Sequence, residues 1–369
     1  MSRAFLFVHS LDYSGASRVV LDIASELVEK KDYKTEDVHL ISPSISDKIL
    51  PQLRELNYTL HNQDSFNDLD ILPDDFILLN TSAISNELAN PIFEMLGSGY
   101  LKGAFWFIHE NDLSYMKRFE GVHENIVKLI NSGSLKILAP SQECAKLLGD
   151  YFGGASISVV SLFVDPTDNF VERHPDDFSH IDFYIAGNPS TGLKGQLLFY
   201  TAIQTVYYEY LKKHPNRYRS FAVYFTTIDA DWISQIIIIL AKSMPEVEFS
   251  LHPATTFREA QYLQKLCNVT VCTSLNESFC LYVAEGMTMG HVLLRNNTAD
   301  YKKQIKDGVN GFLFKKHDFN ALVEKIELIL NVRKTSNEAL WQMSKESTRI
   351  IAPFTTRNYL GQFFAPDKN

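Results

Sequence analysis

The chain has 369 residues, 45% of them hydrophobic and 21% charged, which is ordinary for a globular protein large enough for two domains. The formal net charge of −9 arises in residues 1–165, which hold 13 Lys and Arg against 23 Asp and Glu. Because nucleic acids and anionic lipids are bound through basic patches, this charge argues against both kinds of partner.

The four cysteines form no CxxC spacing and no His/Cys cluster, so the sequence favours reduced thiols over disulfides or a zinc site. The apolar run at residues 4–8 is too short for a signal peptide and predicts a first buried strand. No run of 18 apolar residues occurs, so the sequence predicts no membrane-spanning helix.

After this strand, a loop over residues 10–17 contains Gly15, and an amphipathic helix is predicted from about Arg18 to Lys30. The unit is typical of the opening of a Rossmann-like domain, in which a glycine lets a ligand approach the backbone. The alternative is a glycine in an ordinary turn. The loop is not a GxGxxG fingerprint and gives no support for NAD.

Further strands are predicted at residues 38–42, 75–80, 103–109 and 136–141, with helices between them. The third of these ends in His109, and the carboxyl ends of parallel strands are where α/β sheets bind ligands. A purely structural histidine is the alternative. A polar stretch with little periodicity then places a domain boundary near residues 165–180.

The second half repeats the pattern, with a strand at 181–186, a glycine-rich loop at 187–195 and a helix from about Gln196. Lys194 lies in this loop just before the helix, so a point charge and free N–H donors coincide, as a diphosphate requires. The alternative is a solvated loop lysine.

The strongest pattern is a predicted strand at 269–273, a polar turn at 274–276 and an apolar helix starting near Phe279. Two carboxylates frame it, Glu277 in the turn and Glu285 eight positions later, and a helical spacing would separate them by roughly 12 Å along the axis. The alternative is a crossover helix with one solvated and one core-edge glutamate.

The Glu277-x7-Glu285 spacing, with Phe279 after the first glutamate and Gly290 after the helix, resembles the donor-site motif of retaining glycosyltransferase family four, glycosyl transferases group 1, in its bacterial form. The stretch from Asp307 to Gly311 is similar to the DGxNG hairpin of that family. The resemblance implies an α/β fold of the GT-B type, two Rossmann-like β/α/β domains facing each other across a cleft. It places the acceptor-side domain at 1–168, joined by a C-terminal helix at 353–369, and the donor domain at 169–352.

The resemblance also implies a retaining, metal-independent transfer of a hexose or deoxyhexose from a nucleotide-sugar to an acceptor hydroxyl. Glu277 and His109 would contact the sugar, Lys194 and the N–H groups at 279–281 the departing diphosphate, and Glu285 the ribose. The full set of implied donor-binding residues is Gly15, Ala16, Asn188, Gly195, Ser278, Phe279, Cys280, Leu281 and Glu285.

Several residues depart from the family pattern. Asn188 stands where the family has an arginine, which removes half of the cationic clamp on the diphosphate. Cys280 replaces a glycine, Gly286 an alanine and His291 a proline. None of these changes removes a carboxylate of the motif, so an active enzyme is predicted.

The expected partners are the nucleotide-sugar and a saccharide, lipid-linked or protein-linked glycan acceptor, with no cofactor and no metal. The expected location is cytoplasmic or peripheral at the inner face of the membrane, and homo-oligomerisation is left open. Polysaccharide biosynthesis is the expected role. Two alternatives remain: a non-catalytic GT-B subunit that stabilises an active partner, and a nucleotide-sugar epimerase.

Overall fold

The chain divides into two compact units, which are described separately. The computed structural model describes residues 3–31, 33–63, 66, 68–165, 171–187, 194–214, 218–227, 231–253, 256–298 and 301–365. Unit 1 comprises Met1–Phe163 and Arg357–Asn369, and unit 2 comprises Val164–Thr356. The sequence predicts these boundaries at 168/169 and 352/353.

Unit 1 contains, within the described residues, a seven-stranded sheet with the order β3-β2-β1-β4-β5-β6-β7, all pairs parallel. Its strands are β1 (Ala4–Val8), β2 (Val38–Ser42), β3 (Thr59–Asn62), β4 (Phe76–Asn80), β5 (Ala104–Phe107), β6 (Leu135–Ala139) and β7 (Ser158–Val159). Its first helices are α1 (Gly15–Lys31), α2 (Leu50–Glu55), α3 (Asn86–Gly97), α4 (His123–Asn131) and α5 (Gln142–Tyr151). All five residues of β1 are buried, because helices cover both faces of a parallel sheet.

Unit 2 contains, in its described part, a six-stranded parallel sheet with the order β10-β9-β8-β11-β12-β13. Its strands are β8 (His180–Ala186), β9 (Ser220–Thr227), β10 (Glu248–Pro253), β11 (Val269–Cys272), β12 (Val292–Asn296) and β13 (Gly311–Phe314). Its helices are α6 (Gln196–Val206), α7 (Asp231–Ser243), α8 (Phe257–Leu266), α9 (Leu281–Thr288), α10 (Phe319–Ile329) and α11 (Asn337–Ile351). The order of its strands repeats the order of β1 to β6, so the two units share one topology.

The last helix, α12 (Tyr359–Phe363), belongs to unit 1. The buried Glu26 of α1 accepts hydrogen bonds from the backbone N–H groups of Tyr359, at 2.8 Å, and Leu360, at 3.3 Å. A carboxylate at the start of a helix satisfies N–H groups that have no partner within the helix. Glu26 therefore fixes the end of the chain to α1.

The structure corrects two predicted elements. Helix α1 begins at Gly15 rather than near Arg18, so Gly15 and Ala16 lie in its first turn and not in a loop. The predicted hairpin at 307–311 is wrong, because β13 follows that turn and pairs with β12 in parallel. Gly308 has a φ of +71° and its N–H donates to the carbonyl of Gly311 at 2.8 Å, so the residues do form a tight turn, but not one that joins two antiparallel strands.

No helix in the described residues combines the length and the apolar character that crossing a bilayer would require.

Candidate functional site

Lys194 and Glu277 form an ion pair at the carboxyl edge of the unit 2 sheet. The Nζ of Lys194 lies 2.9 Å from Oε1 and 3.2 Å from Oε2 of Glu277. The loop after β8 supplies the lysine and the loop after β11 supplies the carboxylate, and these two strands are neighbours in the sheet. Burial disfavours the charge of Lys194, but the carboxylate of Glu277 outweighs it and raises the pKa of the lysine above its ordinary value.

Gly195 and Thr273 hold the two loops together. Gly195 precedes α6 with a φ of +67°, and an added Cβ would lie 2.3 Å from the carbonyl oxygen of Thr273. The hydroxyl of Thr273 donates to the carbonyls of Gly195, at 2.8 Å, and Lys194, at 3.1 Å. Only glycine combines this backbone conformation with such a close approach, so Gly195 is required for the Lys194–Glu277 geometry.

Helix α9 starts later than the sequence predicts. Cys280 is its N-cap, with an extended backbone, and Leu281 is its first residue, so the unpaired N–H groups of the helix begin at Leu281 and not at Phe279. Glu277 therefore precedes the helix by four residues, and the predicted 12 Å axial spacing to Glu285 does not apply. The ring of Phe279 is buried against Phe354 at a centroid distance of 5.8 Å, and Ser278 is half-buried beside it in the chain.

Two buried thiols lie on either side of the Glu277 loop. The Sγ atoms of Cys272, at the end of β11, and Cys280 are 3.9 Å apart. The hydrogen bond between the two thiols and the charge of Arg295, working against burial, lower the pKa of Cys272 to about 6, whereas burial raises the pKa of Cys280. Arg295 is itself buried and pairs with Cys272 in the register of β11 and β12.

Glu285 lies in α9 and is oriented by a neighbouring helix. Gln261 of α8 donates a hydrogen bond from Nε2 to Oε1 of Glu285 at 2.9 Å. The contact fixes the direction of the carboxylate, as a residue that binds two adjacent hydroxyls would need. Sequence reasoning did not identify Gln261, because a single glutamine on a helix gives no distinctive pattern.

A buried polar cluster behind α9 explains two departures from the family pattern. Thr270 Oγ1 lies 2.8 Å from Nδ1 of His291 and accepts a hydrogen bond from Nε2 of Gln264 at 3.2 Å. A Cβ added to Gly286 would lie 2.2 Å from Thr270 Oγ1 and 2.8 Å from Gln264 Nε2. Gly286 thus makes room for the hydroxyl and the amide, and His291 partners that hydroxyl.

Unit 1 presents a second set of polar groups at the carboxyl edge of its sheet. Asn80, the last residue of β4, is fully buried and lies 2.7 Å from Nε2 of His109 through its Oδ1. The Nδ2 of Asn80 donates to the carbonyl of Ala16, in the first turn of α1, at 3.0 Å. One side chain thus connects His109 to the turn that contains Gly15 and Ala16. Asn80 could have been predicted from its place at the end of a strand.

The environment of His109 keeps its ring neutral. Burial lowers the pKa of His109 to about 4, and Glu110 opposes this effect only in part. Glu110 itself accepts hydrogen bonds from the N–H and the hydroxyl of Ser82, at 2.9 and 2.8 Å. The next residue, Asn111, has amide atoms that are shielded from solvent and lack a hydrogen-bond partner among the described residues.

The predicted site residues therefore fall into two groups. Unit 2 brings Lys194, Gly195 and Glu277 together and places Ser278 to Leu281 and Glu285 along the same loop and helix. Unit 1 brings Gly15, Ala16 and His109 together through Asn80. Asn188 lies outside the described residues.

Among the described residues, no group of three or more His, Cys, Asp or Glu side chains is arranged to bind a metal ion. The independence from metal stays a prediction.

Residues 248–345 match the family model of Glycosyl transferases group 1. No curated protein matches the chain. The matched segment contains β11, the Glu277 loop, α9 and the 307–311 turn.

Solved glycosyltransferases share the fold at low sequence identity. WaaG, a glycosyltransferase involved in lipopolysaccharide biosynthesis, is 10% identical with a TM-score of 0.65, covering 98% of this chain and 97% of that chain. Anabaena HepE, in complex with UDP and glucose, is 14% identical with a TM-score of 0.64 and the same coverage. A glycosyltransferase from Rickettsia africae is 12% identical with a TM-score of 0.61, covering 96% of this chain and 94% of that chain. The chain thus has the two-domain α/β fold of these glycosyltransferases, and its residues 248–345 are similar to the glycosyl transferases group 1 family.

Proposed function

We propose that the chain is a retaining, metal-independent glycosyltransferase that moves a hexosyl or deoxyhexosyl group from a nucleotide-sugar to an acceptor hydroxyl, in the synthesis of a surface polysaccharide or glycoconjugate. The observation that carries the proposal is the Lys194–Glu277 pair, on two adjacent loops that precede α6 and α9 and are held together by Gly195 and Thr273.

The pair places one positive and one negative group where a nucleotide-sugar presents one anionic and one hydroxyl-bearing part. On donor binding, Lys194 exchanges its carboxylate partner for the diphosphate, and Glu277 turns to the hydroxyls of the sugar. The side chains are 31% and 14% exposed and Glu277 raises the pKa of Lys194, so separating them has a cost that the new contacts to the diphosphate and to the sugar hydroxyls must offset. The ion pair therefore holds both groups in position before the donor arrives.

The leaving diphosphate gains negative charge as the sugar departs. Lys194 and the N–H groups from Leu281 onward are the donors available to that charge, and preorganised donors of this kind lower the barrier most when water is excluded. In this proposal they take the role that a divalent cation has in other transferases. Glu285, oriented by Gln261, holds the ribose hydroxyls.

The proposal is tested by incubating the chain with UDP-, GDP- and ADP-sugars, in excess chelator, and measuring release of the nucleoside diphosphate. A UDP-sugar is the first donor to test, because HepE was solved with UDP-glucose. Release in chelator and a product with the anomeric configuration of the donor are expected. A strict requirement for Mg²⁺ or Mn²⁺, or inversion, would refute the corresponding part of the proposal.

The matched variants are Glu277→Gln and Glu324→Gln. Glu277→Gln should abolish turnover and retain binding of the free nucleoside diphosphate, because the carboxylate acts on the sugar. Glu324, whose side chain is 48% exposed on α10, undergoes the same chemical change away from the site and should keep full activity. Binding of nucleotide without turnover in the wild type would instead indicate a non-catalytic partner subunit.

A further inference from the structure

We propose that Gln304 is a positioning residue, whose side-chain amide holds the peptide between Cys280 and Leu281 so that the N–H of Leu281 points at the diphosphate of the donor. The inference deepens the proposed function and rests on it for the identity of the ligand. The orientation of the peptide rests only on the geometry of unit 2.

The first step is the contact of Gln304 with the start of α9. Gln304 is fully buried, and its Nε2 donates a hydrogen bond at 2.8 Å to the carbonyl of Cys280, the N-cap residue of the helix. The same carbonyl accepts the N–H of Ala284 at 3.1 Å, so both of its lone pairs are used. The opposite orientation of the Gln304 amide would bring two oxygen atoms together. Nε2 is therefore the atom that faces Cys280.

The second step is the direction of the next N–H group. The peptide bond between Cys280 and Leu281 is trans and planar, so its N–H points opposite to its carbonyl. A side chain that fixes the carbonyl of Cys280 therefore fixes the N–H of Leu281 as well. This N–H belongs to the first turn of α9 and has no partner within the helix. It is the first of the backbone donors assigned to the diphosphate.

The third step is the position of this peptide relative to the ion pair. Burial is the main reason why the pKa of Cys280 is raised, but the charges of Glu277 and Lys194 also act on this thiol, in opposite directions. Glu277 and Cys280 belong to the same loop before α9. The N–H of Leu281 and the ammonium group of Lys194 are thus neighbouring positive groups at one edge of the sheet.

Gln304 is itself held by the turn at 306–311. Asn310 donates from Nδ2 to the carbonyl of Gln304 at 2.8 Å, and its Oδ1 accepts the N–H of Lys306 at 2.8 Å. The carbonyl of Asn310 accepts a hydrogen bond from the hydroxyl of Ser347, in α11, at 3.2 Å. Asn310 and Ser347 are fully buried, so solvent does not compete for these bonds. The turn therefore supports the start of α9 through Gln304.

The other atom of the Gln304 amide indicates that stability alone does not explain the residue. Its Oε1 is shielded from solvent and has no hydrogen-bond partner among the described residues. A buried acceptor without a donor is costly, and an apolar side chain of the same size would avoid that cost. The carbonyl of Cys280 would still have its bond from Ala284. An apolar side chain could not supply the second bond, which orients the peptide.

The first test is titration of the wild type and of Gln304→Met with UDP, GDP and ADP, since methionine is apolar and has nearly the volume of glutamine. The dissociation constant of the tightest-binding nucleotide should rise by about 2- to 10-fold in the variant, the effect of one neutral hydrogen bond. The free energy of unfolding in urea should be unchanged or higher, because the unpartnered Oε1 is removed. Gln342→Met is the matched control, since Gln342 is exposed on α11 and bonds to Glu338 at 2.8 Å.

Gln304→Leu repeats the measurement with a stiffer apolar side chain, and the two variants should agree. A glutamine with a merely structural role would give the opposite pattern, a lower free energy of unfolding with an unchanged dissociation constant. That pattern, or an affinity of Gln304→Met equal to that of Gln342→Met, overturns the inference.

The second test observes the peptide directly by NMR of the full chain. Cys280 and Leu281 form the only Cys-Leu pair in the sequence, so cysteine labelled with ¹³C at its carbonyl and leucine labelled with ¹⁵N give one carbonyl–amide correlation. Adding the tightest-binding nucleotide should move the amide proton of Leu281 downfield in the wild type. Without nucleotide, Gln304→Met should move the carbonyl signal of Cys280 upfield, and Gln342→Met should leave it unchanged. An unmoved carbonyl signal in Gln304→Met overturns the inference.

The two tests separate the inference from the proposed function. The carbonyl signal of Cys280 needs no ligand, so the role of Gln304 can fail while nucleotide binding is observed. If the wild type binds none of the three nucleotides, the proposed function is refuted and with it the diphosphate as the ligand of Leu281, whatever the carbonyl signal shows.

Discussion

The carboxyl edges of the two sheets carry different chemistry on the same topology. The strand order around β1, β4 and β5 is repeated by β8, β11 and β12. After these strands, unit 2 has an ion pair, Lys194 with Glu277, whereas unit 1 has the neutral contact of Asn80 with His109.

The difference shows that the fold decides where polar groups lie and the residues at strand ends decide what they bind. A positively charged group such as Lys194 favours the anionic part of a ligand, and neutral donors and acceptors select hydroxyls by geometry. The comparison therefore predicts that removing a charge at the unit 2 edge lowers the affinity for an anionic ligand. At the unit 1 edge, introducing a charge should instead change the hydrogen-bond geometry.

The largest effect is expected from Lys194→Met, which removes the positive charge at the unit 2 edge. A hydrogen bond to a charged group contributes about 1.5–3 kcal/mol, so affinity for a nucleoside diphosphate should fall by about 10- to 150-fold. Isothermal titration measures the loss, and affinity in the wild type should also fall with salt, because the contact is between charges.

Lys242→Met is the matched control, since Lys242 is exposed in the last turn of α7. Its affinity should equal that of the wild type. If Lys194→Met bound the nucleotide as tightly as this control, Lys194 would not contact the diphosphate. The two sheet edges would then not differ in their use of charge for binding a ligand.

A smaller effect, on stability, is expected from Gly286→Ala. The new Cβ would lie 2.2 Å from Thr270 Oγ1, and overpacking of this kind costs about 1–3 kcal/mol. Urea unfolding measures the change. The double variant with Thr270→Ala should lose less than the sum of the two single changes, because removing the hydroxyl relieves the clash. If the two losses of free energy of unfolding were additive, contact with the Thr270 hydroxyl would not be the reason why residue 286 is a glycine.

Most strands could be predicted from the sequence, because buried parallel strands are apolar runs separated by helical periodicity. The limits of helices were less accurate. Helix α1 starts at Gly15 because Ser17 and Asp12 close the preceding turn, with a 3.1 Å hydrogen bond from Oγ to Oδ1, and such local bonds leave no periodic signal. The hairpin at 307–311 was wrong because the glycines report the turn and not the direction of the strand that follows.

The candidate site was predictable where one residue carries a charge in a glycine-rich or polar loop, as Lys194 and Glu277 do. It was not predictable where a neutral side chain within a helix acts through another residue, as Gln261 does. Gly286 belongs to the same class, because its requirement comes from Thr270 on a different element. The roles of such residues depend on contacts between different helices and strands, and a pattern along the sequence does not reveal those contacts.

The smallest expected effect is a dependence of unit 1 stability on pH. Burial lowers the pKa of His39 to about 4 and also lowers the pKa of His61, whose Nε2 lies 2.9 Å from Nδ1 of His39. The unfolded chain therefore binds more protons than the folded chain between about pH 4 and the ordinary histidine pKa of about 6.5. Above that window the two neutral histidines make their full contribution to the free energy of unfolding. As the pH falls through the window, this contribution is lost and the free energy of unfolding should decrease.

Urea titrations at about pH 5 and pH 7 measure this dependence, followed by the fluorescence of the buried Trp106 with Trp232 and Trp341 replaced by Phe. His39→Gln should reduce the difference between the two pH values, because one group with a lowered pKa is removed and an amide can still bond to His61. His214→Gln, at an exposed position of unit 2, should leave it unchanged. If His39→Gln kept the full difference between the free energies of unfolding at the two pH values, the lowered pKa of His39 would not be the cause of the pH dependence of unit 1.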